Sequence, residues 1–221
     1  RPGYLHDLRE GLRFLWADRV ARAIVITIML TNFLDAPIFS VILPVYVREA
    51  YGSAVELGAL LGAFGAAALA GSLIFGAIGH RLPRRLTFGL AFVIVGVPFW
   101  MLALTPPFWV AIAAALLMGL AAGPINPIIS TVIFERVPPS MRGRVLGPLT
   151  AGAWVAMPLG MLLAGIVSEQ LGVVAAIIGI ASAYLVVTLS IFVNPAMRDL
   201  DRRPAAVDQP ATPDSSPVSK A

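Results

Sequence analysis

The sequence predicts an all-helical integral membrane protein with six transmembrane spans, and three observations carry that prediction. Charged residues make up 13% of 221 and apolar residues 58%, with a mean hydropathy of +0.87. A soluble domain carries about 25% charged residues, because it must present a hydrated surface. Apolar runs of about 18 residues or more recur along the chain, the length an α-helix needs to cross a hydrocarbon layer roughly 30 Å thick. The alternating segments of about ten residues that build a transmembrane β-barrel are absent. Finally, the basic residues fall into clusters that separate every second pair of apolar runs.

The elements follow in order. Residues 4–19, YLHDLREGLRFLWADR, place Leu5, Leu8, Leu12 and Leu15/Trp16 at amphipathic-helix spacing, with Arg9, Glu10, Arg13 and Asp18 elsewhere on the wheel. This segment is too polar to span and is expected to lie on the membrane surface or on the inner face of the protein. Spans are expected at about 20–47, 57–79, 86–104, 108–134, 145–168 and 172–193. The turn TPP at 105–107 joins the third and fourth, flanked by Phe99, Trp100, Phe108 and Trp109 as in an interfacial aromatic belt. Little more than EQL at 169–171 joins the fifth and sixth. The bundle thus covers 20–194. From 195 to 221 the chain is rich in Pro, Asp, Ser and Ala without apolar periodicity, and a disordered tail is expected there.

Basic residues set the orientation. Arg1, Arg9, Arg13, Arg19 and Arg22 precede or open the first span. Arg81, Arg84 and Arg85 lie between the second and third, Arg136, Arg142 and Arg144 between the fourth and fifth, and Arg198, Arg202, Arg203 and Lys220 after the sixth. Of 16 basic residues only Arg48 lies in an alternate loop. Both termini are therefore expected in the cytoplasm, with the protein multi-pass in the plasma membrane. The same asymmetry accounts for the net charge of +4 and the isoelectric point near 10.1: the expected partner is the anionic inner leaflet of the bilayer, not nucleic acid. With no cysteine and only His6 and His80, a disulfide framework is excluded, and little material remains for a metal or haem site. No cofactor or metal is expected. No intramembrane acid pair, H-E-x-x-H or Ser/His pairing supports an enzyme. The chain begins at Arg1 without a signal peptide, and it is expected to be part of a longer protein.

One charged residue lies deep inside a span. Asp35 sits in TNFLDAP at 31–37, and Thr27, Thr31 and Asn32 share its helical face. A mid-membrane carboxyl is costly, so it faces protein or water and has a task. Two tasks fit: a proton-titrating or substrate-binding group in an aqueous cavity, or a hydrogen bond to a neighbouring helix that serves assembly. The fourth span carries a matching irregularity, GPINPIIST at 123–131, where Pro124 and Pro127 each remove a backbone donor around Asn126, as Pro37 does after Asp35. Transporters place their sites where helices of inverted three-helix repeats are interrupted by Pro or Gly. The first and fourth spans open successive triplets, so the interruptions occupy equivalent positions. Asp35, Asn32, Thr31 and Asn126 are thus candidate substrate- or proton-binding residues, and Pro37, Pro124 and Pro127 candidate gating kinks. Ordinary proline kinks are the alternative. The second span is glycine-rich, and the pairs Gly58/Gly62 and Ser72/Gly76 allow close helix approach, in an interface that either rocks or packs statically.

The loop GAIGHRLPRR at 76–85 resembles the signature of the major facilitator superfamily between the second and third helices of each half. Gly76, Arg81, Arg84 and Arg85 match, while His80 stands for the family's aspartate and Pro83 for its second glycine. A longer resemblance runs over about residues 5–195: EGLRFL at 10–15, Asn32, Leu43-Pro44, Asn126-Pro127, VPPSMRGRV at 137–145 and PLGMLLAG at 158–165. These occur in the order seen in the last six helices of bacterial facilitator exporters of the macrolide-efflux and siderophore-exporter type. The resemblance implies the carboxy-terminal half of a twelve-helix transporter, with segment 1–19 as the linker between halves. It further implies proton antiport, and a missing amino-terminal half, or a second copy, as partner. The expected function is proton-coupled efflux of a small amphipathic solute. The alternative is a six-helix membrane scaffold, or an inactive remnant, without transport.

Overall fold

A computed structural model describes residues 3–202, and among these every regular element is helical. Helix α1 (Tyr4–Ala17) turns Leu12 and Trp16 outward and packs Gly11 and Leu15 against the bundle. The Asp18 carboxylate accepts the Ala21 N–H at 2.8 Å and so caps α2. The first span is α2 (Arg19–Pro37), a π-helical segment (Ile38–Ile42) and α3 (Leu43–Ala50). The second is α4 (Ala54–Ile78), started by Ser53, whose hydroxyl accepts the Val55 N–H, and the third is α5 (Arg84–Leu102). The fourth is broken into α6 (Phe108–Ala122) and α7 (Ile125–Arg136). The fifth is α8 (Arg142–Leu171) and the sixth α9 (Val173–Val193), joined at Gly172, whose φ of +87° suits only glycine well.

All six spans are long and apolar enough to cross a bilayer, yet only 17–44% of each apolar window is buried within the protein. The remainder presents side chains such as Leu69, Leu73, Trp154 and Val186 outward. An apolar exterior of this extent is stable in lipid and aggregates in water. The protein is a multi-pass membrane protein.

The principal pairings are first with fifth span, second with fourth, third with sixth, third with fourth and first with sixth. This set is unchanged when the first triplet of helices is exchanged for the second. The same exchange relates two backbone contacts. Pro37 has no N–H to offer the Phe33 carbonyl one turn earlier, and Gly160 of α8 packs directly on that oxygen, where a Cβ would lie 1.9 Å away. Pro124 likewise leaves the Leu120 carbonyl without its helical donor, and Gly71 of α4 packs on it, with a Cβ placed 2.3 Å away. The two interruptions thus make equivalent backbone contacts and occupy equivalent sequence positions. Elsewhere the glycine reading differs: among the described residues Gly58, Gly62 and Gly76 meet nothing within 4 Å, and the tight contacts of the second span are made at Phe64 with Gly119, at Gly71 with Leu120 and at Ser72 with Gly123.

Order also extends past the expected end of the bundle. Asn194 caps a short helix, α10 (Pro195–Arg198), which buries Met197; Leu200 just beyond it is buried too, and Asp201 accepts the Arg85 N–H at 3.2 Å. These two apolar side chains and the carboxylate hold the chain against the bundle, so residues 195–202 are not a featureless tail. The expectation of disorder over 203–221 lies outside the described residues.

Candidate functional site

The polar stripe of α2 opens into a cavity of about 180 Å³ bounded by the first, second, third, fourth and sixth spans. Thr31, Asn32 and Asp35 line it from α2 and Asn126 from α7, so all four candidate binding residues share one space. Thr27 is buried outside it, and its hydroxyl donates to the Ala23 carbonyl at 2.8 Å. The Thr31 hydroxyl is similarly engaged, donating to the Ile28 carbonyl at 3.2 Å. Asn32 donates from Nδ2 to the Ala153 carbonyl of α8 at 3.4 Å, which leaves its Oδ1 as an acceptor. Asp35 is half-buried and, among the described residues, has no cation within ion-pair distance. Asn126 sits in the first turn of α7, on the far side of the break at Gly123–Pro124.

A further lining residue was not singled out from the sequence. Tyr184 of α9 is fully buried, and among the described residues its hydroxyl has no hydrogen-bond partner. A buried hydroxyl left unpaired costs on the order of 1–3 kcal/mol, so it calls for a ligand, water or neighbouring group to complete it. Its ring packs edge-on against Phe99 at 5.2 Å and fits because residue 96 is glycine, where a Cβ would lie 2.5 Å from the ring. The signal available in the sequence was a lone tyrosine deep in the sixth span. Phe39, Phe64, Phe92 and Val95 supply the apolar wall. One carboxylate, two amides and a phenol in an otherwise apolar enclosure form a set suited to a small cationic or hydrogen-bonding solute, or to a proton.

The proline residues separate. Pro37 introduces the π-helical segment beside the cavity and Pro124 stands at the break in the fourth span, whereas Pro127 lines a different cleft of about 820 Å³ together with Gly76, Arg81 and Arg84. The loop motif therefore does not reach Asp35; it lies at the end of the bundle that carries both ends of the described chain. There Arg84 forms a bidentate pair with Glu135 at 2.5 and 2.8 Å, and Arg85 donates to the Phe192 carbonyl. His80 is exposed beside Arg81. The one cluster of metal-ligating type among the described residues, His6, Asp7 and Glu10, is on α1, where Arg144 pairs with Asp7 at 3.0 Å and Glu10 at 2.6 Å.

Comparison with known proteins agrees with this architecture. Residues 25–220 match the Major Facilitator Superfamily. Multidrug efflux pump Tap of Mycobacterium tuberculosis (strain ATCC 25618 / H37Rv) is 35% identical over 212 residues, covering 95% of this chain and 50% of the relative. The pump of the same name from Mycolicibacterium fortuitum is 31% identical over 197 residues, 89% of this chain and 48% of the relative. Macrolide efflux protein A of Streptococcus pyogenes is 23% identical over 175 residues, 78% of this chain and 43% of the relative. The chain spans about half the length of the curated relatives it matches. No solved structure matches significantly. Six apolar spans in two equivalent triplets, a polar cavity at their interrupted helices and a family match over nearly the whole sequence lead to one assignment: the chain belongs to the Major Facilitator Superfamily.

Proposed function

We propose that this chain is the second half of a secondary active transporter that exports a small amphipathic compound, a drug or secreted metabolite, in exchange for protons. The observation that carries the reading is the convergence of Asp35, Asn32, Thr31 and Asn126 on one cavity between the first and fourth spans. A carboxyl inside a span, without a cationic neighbour, binds either a proton or a cationic solute, and competition between the two is the simplest chemistry of exchange. The names of the relatives, multidrug and macrolide efflux, favour export of small organic molecules. A scaffold without transport has no use for a polar cavity of this kind.

In this reading Asp35 takes the proton or the positive end of the solute, while Asn32 and Asn126 hydrogen-bond it. The helices interrupted at Pro37 and Pro124 change the access of the cavity as the bundle rocks against an amino-terminal half or a second copy. The arginine-rich end faces the cytoplasm of the plasma membrane, with both termini there. The test is Asp35→Asn in the full-length transporter, with efflux followed across an imposed pH gradient. The amide binds no proton in this range, so the variant is expected to lose gradient-driven efflux. Efflux that keeps the wild-type dependence on the gradient overturns the coupling role.

A further inference from the structure

A second cavity lies directly beyond the polar one, towards the TPP turn. Its volume is about 50 Å³ and its walls are entirely apolar, among them Ile38, Phe39, Leu60, Phe64, Ala115 and Met118. Phe39 and Phe64 line both cavities, and their ring centroids are 5.3 Å apart, so the two rings form the partition between polar and apolar space. Phe39 is also 6.1 Å from Phe99, the ring that carries Tyr184 on its other side at 5.2 Å. The partition is set on an irregular backbone: Phe39 belongs to the π-helical segment, in which the Leu43 N–H bonds to the Ile38 carbonyl five residues back. Wide turns of this kind sit frequently at functional sites.

We infer that the apolar cavity is a second subsite, which takes the hydrocarbon part of a solute whose cationic head is held at Asp35. The spacing fits. Phe39 follows Asp35 by four residues, about 6 Å along a helix, so a chain of about six carbons runs from a head group at the carboxylate, past the Phe39 ring, into the pocket. The space beyond admits about two methylene groups, each close to a water molecule in size. A methylene moved from water into an apolar site is worth about fourfold in affinity, so two are worth about 15-fold. A single compartment of either kind fits one end of an amphipathic molecule; together they select for both.

This subsite rests on the reading of Asp35 as a cation site, and the experiment separates the two. The full chain in lipid nanodiscs is titrated with tetramethylammonium and with hexyltrimethylammonium, after subtraction of binding to empty discs. The hexyl compound is expected to bind about 15-fold tighter. Ala115→Val, which puts two methyl groups into the pocket, is expected to reduce that advantage to about threefold or less, with the affinity for tetramethylammonium unchanged. Ala114→Val does the same from a less tightly packed position on the pocket wall and serves where Ala115→Val lowers the yield of folded protein. An advantage that survives in either folded variant overturns the subsite. Tetramethylammonium that binds wild type and Asp35→Asn equally, or neither, overturns the cation site instead.

Discussion

At the scale of single residues, two positions have opposite expected behaviour although both are buried. Gly160 lies on the Phe33 carbonyl with no room for a side chain, and the neighbouring backbone atoms leave nothing flexible to yield. Gly160→Ala is expected to destabilise the bundle by about 2 kcal/mol, the usual range for overpacking, and a lowered thermal midpoint in detergent checks it. Tyr184 is packed as tightly, against Gly96 and Phe99, but its hydroxyl has no partner among the described residues. Tyr184→Phe removes an unsatisfied group and keeps the contact with Phe99, so the thermal midpoint is expected to stay the same or to rise. If the hydroxyl completes the site, the same substitution lowers solute affinity by about fivefold, the worth of one hydrogen bond near 1 kcal/mol. The sequence did not single out Tyr184, and it marked Gly160 only as part of the motif at 158–165. Gly160 is one of 20 glycines, and its importance depends on which carbonyl of a distant helix it meets. Asp35 did announce itself, because a lone carboxylate within an apolar run is conspicuous without any partner.

At the scale of elements, the spans were legible because run length and lipid thickness are local properties. The observed ends differ from those expected by a few residues: the fifth span starts at Arg142 rather than about 145, and the first continues to Ala50. The form of the interruptions was only half legible. Proline predicts a lost hydrogen bond, but whether the helix answers with a π segment, as after Pro37, or with a break, as at Gly123–Pro124, depends on what packs opposite. In both cases a glycine from another span fills the place of the missing donor. Pro37→Ala restores an N–H to the Phe33 carbonyl and favours a regular helix through residues 38–42. The expected outcome is a thermal midpoint no lower than that of wild type, together with slower efflux by the full-length transporter. Efflux at the wild-type rate removes the kink from any gating role.

At the scale of the whole molecule, charge is segregated, and the arginines gathered at one end of the bundle tie its elements together. Arg144 joins α8 to α1, Arg84 joins α5 to α7, and Arg85 joins α5 to α9 and to Asp201. Arg136 reaches furthest: it pairs with Asp18 at 3.2 Å and donates to the Asp199 carbonyl at 2.8 Å, linking the start of the first span, the end of the fourth and the segment after the sixth. In the sequence these arginines point to topology, and Arg84 and Arg85 also to the loop motif; their partners are far apart in the chain and could not be read from it. The pairs differ in value. Those of Arg144 are about one-third exposed and are worth at most about 1 kcal/mol. Arg136 is only 12% exposed and satisfies two groups at once, so its removal leaves Asp18 and a carbonyl short of a donor. Arg136→Ala is expected to cost about 2–3 kcal/mol, more than Arg144→Ala, and to expose residues 195–202 to protease before the bundle itself unfolds. Limited proteolysis beside a thermal melt distinguishes this from a uniform loss of stability. If residues 195–202 stay protected in Arg136→Ala, Met197 and Leu200 hold the segment by burial alone, and the arginine's two bonds do not anchor it.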